Sequence, residues 1–141
     1  MSYLLDTCVI SELVKRKPNT QLRTWFNQQK QSQLFLSAIT ISEIKKGIYK
    51  IKPTQSERAL KLQNWLNTVE INFSQRILPM TDEALECWAM LSASAENQGN
   101  TVAVMDGLIR ATAHYYDLIL VTRNVTDFKD LPIKIINPFI L

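Results

Sequence analysis

The amino-acid sequence predicts an α/β fold with three α/β/α layers around a central, mostly parallel, five-stranded sheet. Short apolar runs that are continuous rather than alternating indicate strands buried on both faces. These runs alternate with stretches of helical periodicity, which is the pattern of helices packed on both sides of a parallel sheet. Because the chain has 141 residues and no internal repeat or linker, residues 1–141 are predicted to form a single domain.

The predicted strands are short and apolar. In chain order they are Tyr3–Leu5, Leu34–Leu36, Ile77–Leu78, Leu118–Val121 and Ile133–Ile136. The polar run Asn27–Gln33 is predicted to be a loop or a frayed helix end.

The predicted helices lie between these runs and carry apolar residues on one face. Their defining residues are Val9 and Leu13; Leu22, Trp25 and Phe26; Ile41, Ile44 and Ile48; Ala59, Leu62, Leu66 and Val69; Leu85, Trp88 and Ala89; and Val102, Ile109 and Ala113. Pro18 and Pro53 end the first and third helices. Thr81 begins the fifth helix, because acidic residues follow in its first turn.

The amino-acid composition excludes several kinds of functional site. Three glycines leave no glycine-rich phosphate loop, and the single histidine, His114, excludes a mechanism with two imidazoles or a His-rich zinc site. Cys8 and Cys87 form no disulfide framework and are typical of a reduced, cytoplasmic protein. Asp6 interrupts the first apolar run, so no signal peptide is predicted, and no run is long enough to span a membrane.

Charge is distributed unevenly along the chain. Residues 1–70 hold 11 Lys and Arg against 5 Asp and Glu, or +6, whereas residues 71–141 hold 5 against 8, or −3. The basic residues cluster at Lys15, Arg16 and Lys17 and around Lys45 and Lys46. These clusters suit a polyanion such as nucleic acid. The alternative is an ordinary solvated helix face.

Two acidic residues lie directly or shortly after the ends of predicted strands. Asp6 comes after the first strand, where its alternative role is to cap the next helix. Glu43 follows the second strand, and the spacing from Thr40 to Glu43 also fits a capping box. Because the carboxyl ends of parallel strands meet at one edge of a sheet, both side chains are expected at the same edge.

A third acidic residue, Asp106, shares a helical stripe with Val102, Ile109 and Ala113. An acid on an apolar face is rarely buried without a partner. Its alternative role is an ion pair with Arg110 one turn later.

The last strand end carries Thr122, Asn124 and Asp127. These residue types also form ordinary turns. Two carboxylates 4 Å apart repel by about 4 kcal/mol at an effective dielectric of about 20, so a cluster requires a cation. Oxygen donors without a suitable His or Cys set favour Mg²⁺ or Mn²⁺ over zinc.

These segments together resemble the PIN-domain ribonucleases, most closely the VapC-like toxins of bacterial toxin–antitoxin pairs. Four motifs occur in the family's order across about residues 3–139. They begin at Leu5-Asp6-Thr7, Leu36-Ser37, Asp106-Gly107 and Thr122-Arg123-Asn124, and the ending Asn137-Pro138-Phe139 is also similar.

The resemblance implies a metal-dependent endoribonuclease. Asp6, Glu43 and Asp106 match the family's three most regular acids and are expected to be catalytic and to hold Mg²⁺, with Mn²⁺ as the alternative ion. A metal held by Asp6 and Asp106 would activate a water for attack on an RNA phosphodiester. Glu43 and Asp127 would orient that water or a second ion. Either Asn124 or Asp127 fills the fourth acidic position.

Supporting positions follow from the same comparison. Thr7, Thr122 and Asn124 are candidate outer-sphere or fourth ligands. The chain departs from the family at Cys8, where relatives usually carry Asn or Ser. Basic residues expected to steer RNA are Lys15, Arg16, Lys45 and Lys46.

The resemblance also implies partners. A small antitoxin would inhibit the site and bring the pair to promoter DNA, and the chain would form a homodimer. The aromatic residues Trp25, Phe26 and Trp65 are candidates for the antitoxin contact, with core packing as their alternative role.

Other functions remain open from the residues alone. A haloacid-dehalogenase-like phosphatase could use Asp6 as nucleophile, but Cys8 stands where its second Asp belongs. A receiver domain would need a phosphorylatable Asp, which only Asp82 offers, late in the chain. A catalytically degenerate PIN module would bind RNA or protein without cleaving, and the neutral Asn124 favours that alternative.

Overall fold

A five-stranded sheet forms the centre of the protein, as predicted. The computed structural model describes residues 1–125 and 133–141. The strands are β1 (Tyr3–Leu5), β2 (Leu34–Ser37), β3 (Ile77–Leu78), β4 (Ile119–Val121) and β5 (Ile135–Ile136). Within these described residues all neighbouring strands pair in parallel, in the order β3-β2-β1-β4-β5. The fold class predicted from the sequence is therefore confirmed.

Six α-helices connect and flank these strands in the described part of the chain. They are α1 (Thr7–Leu13), α2 (Thr20–Gln28), α3 (Ala38–Ile51), α4 (Ser56–Asn72), α5 (Asp82–Asn97) and α6 (Val104–Tyr115). Short 3₁₀ helices occur at Gln31–Gln33 and Pro138–Ile140. The predicted start of α5 is confirmed, because Thr81 accepts a hydrogen bond from the Ala84 N–H.

The start of α3 differs from the capping-box prediction. Ser37 caps this helix by accepting a hydrogen bond from the Ile39 N–H, so the helix begins at Ala38. Thr40 is then its third residue, and Glu43 lies in the second turn. The capping box was wrong because Ser37 already supplies a cap directly after β2.

Alternating side chains along each strand contribute to two different apolar cores. Leu4 and Leu120 belong to a core with Ile109 of α6. Their neighbours Leu5 and Val121 belong to a larger core built with helices α1 to α4. Successive strand residues point to opposite faces, so the two cores lie on the two sides of the sheet. This is the three-layer arrangement.

Trp25 belongs to the larger core. It is 8% exposed, and its ring meets the ring of Tyr3 edge-on with centroids 5.2 Å apart. Of the two roles left open for Trp25, core packing is therefore confirmed and an exposed aromatic surface is wrong, because this side chain closes the core beside β1. Phe26 and Trp65 are only partly buried.

Helix length and polarity bear on membrane insertion. Among residues 1–125 and 133–141, no helix is long and apolar enough to cross a membrane.

Candidate active site

An acidic cavity of about 640 Å³ lies at the carboxyl edge of the sheet. Its walls come from the end of β1, from α1, α3 and the start of α6, and from the segment after β4. The lining residues are Asp6, Thr7, Cys8, Ser11, Glu12, Lys15, Glu43, Asp106, Arg123 and Asn124. The three predicted acids Asp6, Glu43 and Asp106 thus share one cavity with a fourth carboxylate, Glu12.

Asp6 joins β1 to α1 and is held from both sides. Its backbone N–H donates to the Val121 carbonyl, and Oδ1 accepts from the Thr7 N–H at 2.7 Å. Its other oxygen, Oδ2, accepts from the buried Thr122 hydroxyl at 2.7 Å. Asp6 therefore caps α1 and lines the cavity at once. The capping role and the site role are compatible.

Thr122 and Cys8 sit behind Asp6. The Thr122 hydroxyl also accepts from the Asn124 N–H at 3.1 Å, which ties the segment after β4 to the end of β1. The Cys8 thiol lies 3.6 Å from the Thr122 hydroxyl and 3.9 Å from Asp6 Oδ2. Burial raises the pKa of the Cys8 thiol, so it stays protonated at neutral pH. Cys8 is thus a neutral neighbour of the carboxylate.

Glu43 reaches the cavity from the second turn of α3. Its Oε1 accepts from the Thr7 hydroxyl at 2.7 Å, and the Thr7 oxygen lies 3.1 Å from the buried hydroxyl of Thr40. Since a hydroxyl has one proton, Thr7 can donate to Glu43 while it accepts from Thr40. This arrangement fixes one oxygen of Glu43 and joins α1 to α3.

Asp106 lies in the first turn of α6. The next residue, Gly107, packs so tightly against α5 that an added Cβ would lie 3.1 Å from Trp88 Nε1. The buried Arg110 donates to the backbone carbonyls of Asp106, at 3.4 Å, and Asn124, at 3.1 Å. Helix packing and this guanidinium therefore hold the start of α6 against the segment after β4.

Sequence reasoning missed Glu12. Its side chain is 9% exposed, and its Oε1 accepts from Lys15 at 2.9 Å and from Arg123 at 3.3 Å. Its Oε2 accepts from the Asn19 N–H at 3.0 Å. The hydrogen bond from Lys15 is the main cause that lowers the pKa of Glu12. The available signal was an acid among the apolar residues of α1 with a lysine three positions later.

Only some of the other predicted site residues line the acidic cavity. Asn124 lines the cavity, whereas Asp127 lies outside the described residues. Lys15 lines the cavity, and Arg16 lines a separate groove beside α4. Lys45 and Lys46 lie on α3 and are not among the cavity-lining residues.

The donors in the cavity suit a hard cation that keeps several of its waters. They are carboxylate and amide oxygens, and Mg²⁺ is commonly held by one or two carboxylates with water completing its shell. Within the described residues no three His, Cys, Asp or Glu side chains form a group that could hold a metal. The donor chemistry therefore fits a water-rich Mg²⁺ site better than a closed cage of protein ligands.

Fold and cavity together define an α/β protein with an acidic site at the carboxyl edge of a parallel sheet. The PIN domain family matches residues 3–134, so the chain belongs to the PIN domain family. The phosphatase and receiver-domain alternatives are therefore excluded.

Individual relatives cover almost the whole chain. VapC ribonuclease Y4jK of Sinorhizobium fredii is 33% identical over 136 residues, which are 96% of each protein. The crystal structure of FitAcB from Neisseria gonorrhoeae superposes with a TM-score of 0.90 at 30% identity, over 99% of each chain. The structure of FitAB bound to an IR36 DNA fragment gives a TM-score of 0.81 at 30% identity, over 99% of this chain and 96% of that one.

Proposed function

We propose that this protein is a metal-dependent endoribonuclease and the toxin of a bacterial toxin–antitoxin pair. The observation that carries the proposal is the convergence of Asp6, Glu43 and Asp106 on one cavity from three separate elements. The relative Y4jK is named a VapC ribonuclease, which supports the activity, and a further relative, toxin FitB of Neisseria gonorrhoeae, is named a toxin.

Asp6, Asp106 and Glu43 would hold the metal directly or through its bound waters, with Mg²⁺ as the expected ion and Mn²⁺ as the alternative. When bound, the metal would supply a water of lowered pKa and offset negative charge on the phosphate. The protein supplies orientation: Thr122 fixes Asp6, and Thr7 fixes Glu43.

The fourth acidic position involves two further residues in this proposal. Asn124 lines the cavity and offers a neutral carbonyl oxygen. Asp127 brings the negative charge that Asn124 lacks, and it would orient the attacking water or a second ion. Asp127→Asn should therefore reduce cleavage, whereas Asn124→Asp should preserve or raise it at low Mg²⁺.

RNA would approach across the basic surface of the N-terminal half. Lys15, Arg16, Lys45 and Lys46 are the proposed steering residues, and Lys15 lies on the cavity wall itself. Replacing them should weaken RNA binding and flatten its dependence on salt, because fewer counterions are released.

An antitoxin partner is proposed from the relatives, since one of them is named toxin FitB and FitAB was solved bound to a DNA fragment. The antitoxin would carry the promoter contacts. A groove of about 400 Å³ beside the acidic cavity is lined by Phe26, Trp65 and Phe73 together with Lys15, Arg16 and Arg23. Such a groove suits an apolar antitoxin segment with acidic residues. Trp65→Ala should lower antitoxin affinity without unfolding the protein.

A homodimer of single PIN-like domains in the cytoplasm completes the proposal. Leu85 and Met90 on α5, with Val104 and Met105 at the start of α6, are large apolar side chains that remain exposed. A second copy would cover them. Light scattering should give twice the chain mass, and Met90→Glu should shift the equilibrium toward monomer.

The alternative function is a degenerate PIN module that binds RNA or protein without cleaving. The neutral Asn124 is the observation that favours it. Cleavage itself separates the two functions.

The deciding experiment incubates antitoxin-free protein with RNA in Mg²⁺, in Mn²⁺ and in EDTA. Internal cleavage is expected with metal and not with EDTA. Asp6→Ala and Asp106→Ala should abolish it, whereas Glu57→Ala on the exposed face of α4 should not. Full activity in either cavity variant contradicts the site, and cleavage in EDTA contradicts metal dependence.

A further inference from the structure

One carboxylate of the acidic cavity is engaged by two cations. Glu12 Oε1 accepts from Lys15 Nζ at 2.9 Å and from an Arg123 guanidinium nitrogen at 3.3 Å. Its Oε2 accepts from the Asn19 N–H at 3.0 Å. Both oxygens are therefore occupied, and Glu12 is a poor candidate for a metal ligand.

The cations themselves face solvent. The side chains of Lys15 and Arg123 are 60% and 56% exposed, whereas that of Glu12 is 9% exposed. An ammonium has three donors and a guanidinium five. Each cation gives Glu12 one hydrogen bond here, so donors remain for another anion.

Arg123 is also held by an aromatic ring. Its guanidinium carbon lies 4.2 Å from the centroid of the Phe139 ring. Stacking restrains the plane of the guanidinium while its edge can still bind oxygen atoms. Glu12 and Phe139 thus immobilise Arg123 before any ligand arrives, which lowers the entropic cost of binding.

Charge at this wall is opposite in sign to the rest of the cavity. One carboxylate and two cations sum to +1, beside the carboxylates of Asp6, Glu43 and Asp106 in the same cavity. An RNA strand needs such a contact, because its phosphates would otherwise be repelled by the acidic interior.

We propose that Glu12 is a positioning residue that holds Lys15 and Arg123 as a phosphate-binding pair for the RNA backbone next to the bond to be cut. This inference rests on the proposed ribonuclease function and adds Glu12 and Arg123 to it. The pair binds a phosphate flanking the one at the carboxylates.

Neutralising Glu12 distinguishes positioning from simple charge. If Glu12 contributed only its negative charge, Glu12→Gln would tighten RNA binding. If Glu12 positions the cations, the same change frees them, and RNA binding weakens despite the more positive surface. The two roles predict opposite signs for one measurement.

The first experiment measures affinity for single-stranded RNA in EDTA across a range of salt concentrations. Lys15→Ala and Arg123→Ala should each weaken binding about fivefold, the scale of a solvent-exposed ionic contact. Each should also lower the log–log salt slope by about 0.7. Glu12→Gln should weaken binding about two- to fivefold.

Matched controls lie on the exposed face of α4. Lys61→Ala, Arg58→Ala and Glu57→Gln make the same charge changes away from the cavity, and they should leave affinity and slope near those of the native protein. Glu12→Asp should restore part of the affinity lost in Glu12→Gln.

The second experiment measures cleavage kinetics in Mg²⁺. The three cavity-wall variants should raise KM and leave kcat within about twofold, because the pair binds a phosphate that does not react. In a background of Lys15→Ala and Arg123→Ala, Glu12→Gln should have no further effect on KM. An additional loss there would show that Glu12 acts by another route.

Different outcomes contradict the proposed ribonuclease function and the proposed role of Glu12. No cleavage by the native protein contradicts the ribonuclease function, while the EDTA binding series still tests the pair. Tighter RNA binding by Glu12→Gln overturns the inference alone. Unchanged RNA binding with lost antitoxin affinity also overturns it and assigns the pair to the protein partner. If Glu12→Gln fails to fold, the exposed Lys15 and Arg123 variants decide the question.

Discussion

Two carboxylates in the same cavity, Asp6 and Glu12, have nearly equal burial and different partners. They are 6% and 7% exposed. Asp6 receives hydrogen bonds from neutral groups, the Thr122 hydroxyl and the Thr7 N–H, whereas Glu12 receives them from Lys15 and Arg123. Neutral donors orient a carboxylate and leave its charge for a cation, whereas cationic donors cancel it. The type of partner, rather than burial, therefore separates the acid proposed to bind metal from the acid proposed to position cations.

The largest effect on RNA cleavage is expected when Asp6 is changed, and the same change at Glu12 provides the contrast. Asp6→Asn keeps the shape of the side chain and removes the charge, so RNA cleavage should fall by more than about 100-fold, beyond the range for a supporting residue. Glu12→Gln makes the same chemical change and should act through KM only. Cleavage kinetics of both variants, with thermal unfolding to verify folding, measure the contrast. Equal losses of kcat would mean that both acids serve the chemistry.

A smaller effect is expected for the partner of Asp6. Thr122→Val removes the hydroxyl at nearly constant volume and leaves Asp6 Oδ2 without this donor. Cleavage at subsaturating Mg²⁺ should drop about 10- to 100-fold, as for other outer-sphere partners. Thr122→Ser should restore most of it. The matched control is Thr68→Val. The Thr68 hydroxyl donates to the Asn64 carbonyl on the exposed surface of α4, away from the cavity.

The next effect concerns stability and the position of Asp106. Gly47→Ala places a methyl group in open space within α3 and should raise the free energy of unfolding by about 1 kcal/mol. Gly107→Ala gains the same helix propensity but crowds Trp88. It should therefore be about 1–2 kcal/mol less stable than Gly47→Ala in urea unfolding. Equal stabilisation by both would show that α5 and α6 can separate without cost.

The smallest effect is the pH dependence of the Glu12 ion pairs. The hydrogen bond from Lys15 lowers the pKa of Glu12 in the folded protein below the ordinary value of 4.5. The unfolded chain therefore binds the proton first, and the stabilisation is fully present above about pH 4.5 and lost as the pH falls through the folded-state pKa. The free energy of unfolding of the native protein should exceed that of Glu12→Gln by about 0.5 kcal/mol at pH 7, and this difference should vanish in acid. A constant difference would assign it to packing.

The sequence predicted the sheet well because its strands are short, continuous apolar runs. Tyr3–Leu5 and Ile77–Leu78 have the predicted bounds, while β5 is two residues shorter than predicted. Burial on both faces leaves a signal that needs no tertiary information.

The site was less accessible to sequence reasoning. The motif positions Asp6, Glu43 and Asp106 could be located. The hydroxyl donors of two of them, Thr122 for Asp6 and Thr7 for Glu43, are identifiable as donors only from the fold. Glu12 was missed because Arg123, its cationic partner, is 111 residues away in the chain. Local spacing suggested a capping box at Thr40, whereas Ser37 caps α3 three residues earlier.

The hydrogen bond between Thr122 and Asp6 spans 116 positions of the sequence. Of the five described strands, β1 comes first in the chain and lies at the centre of the sheet, whereas its neighbour β4 comes fourth. Long-range pairing of this kind forms slowly, because a long loop must close first. A nascent chain that stops before β4 therefore has no complete cavity. Such a truncated product of synthesis would lack the site that the proposed ribonuclease activity requires.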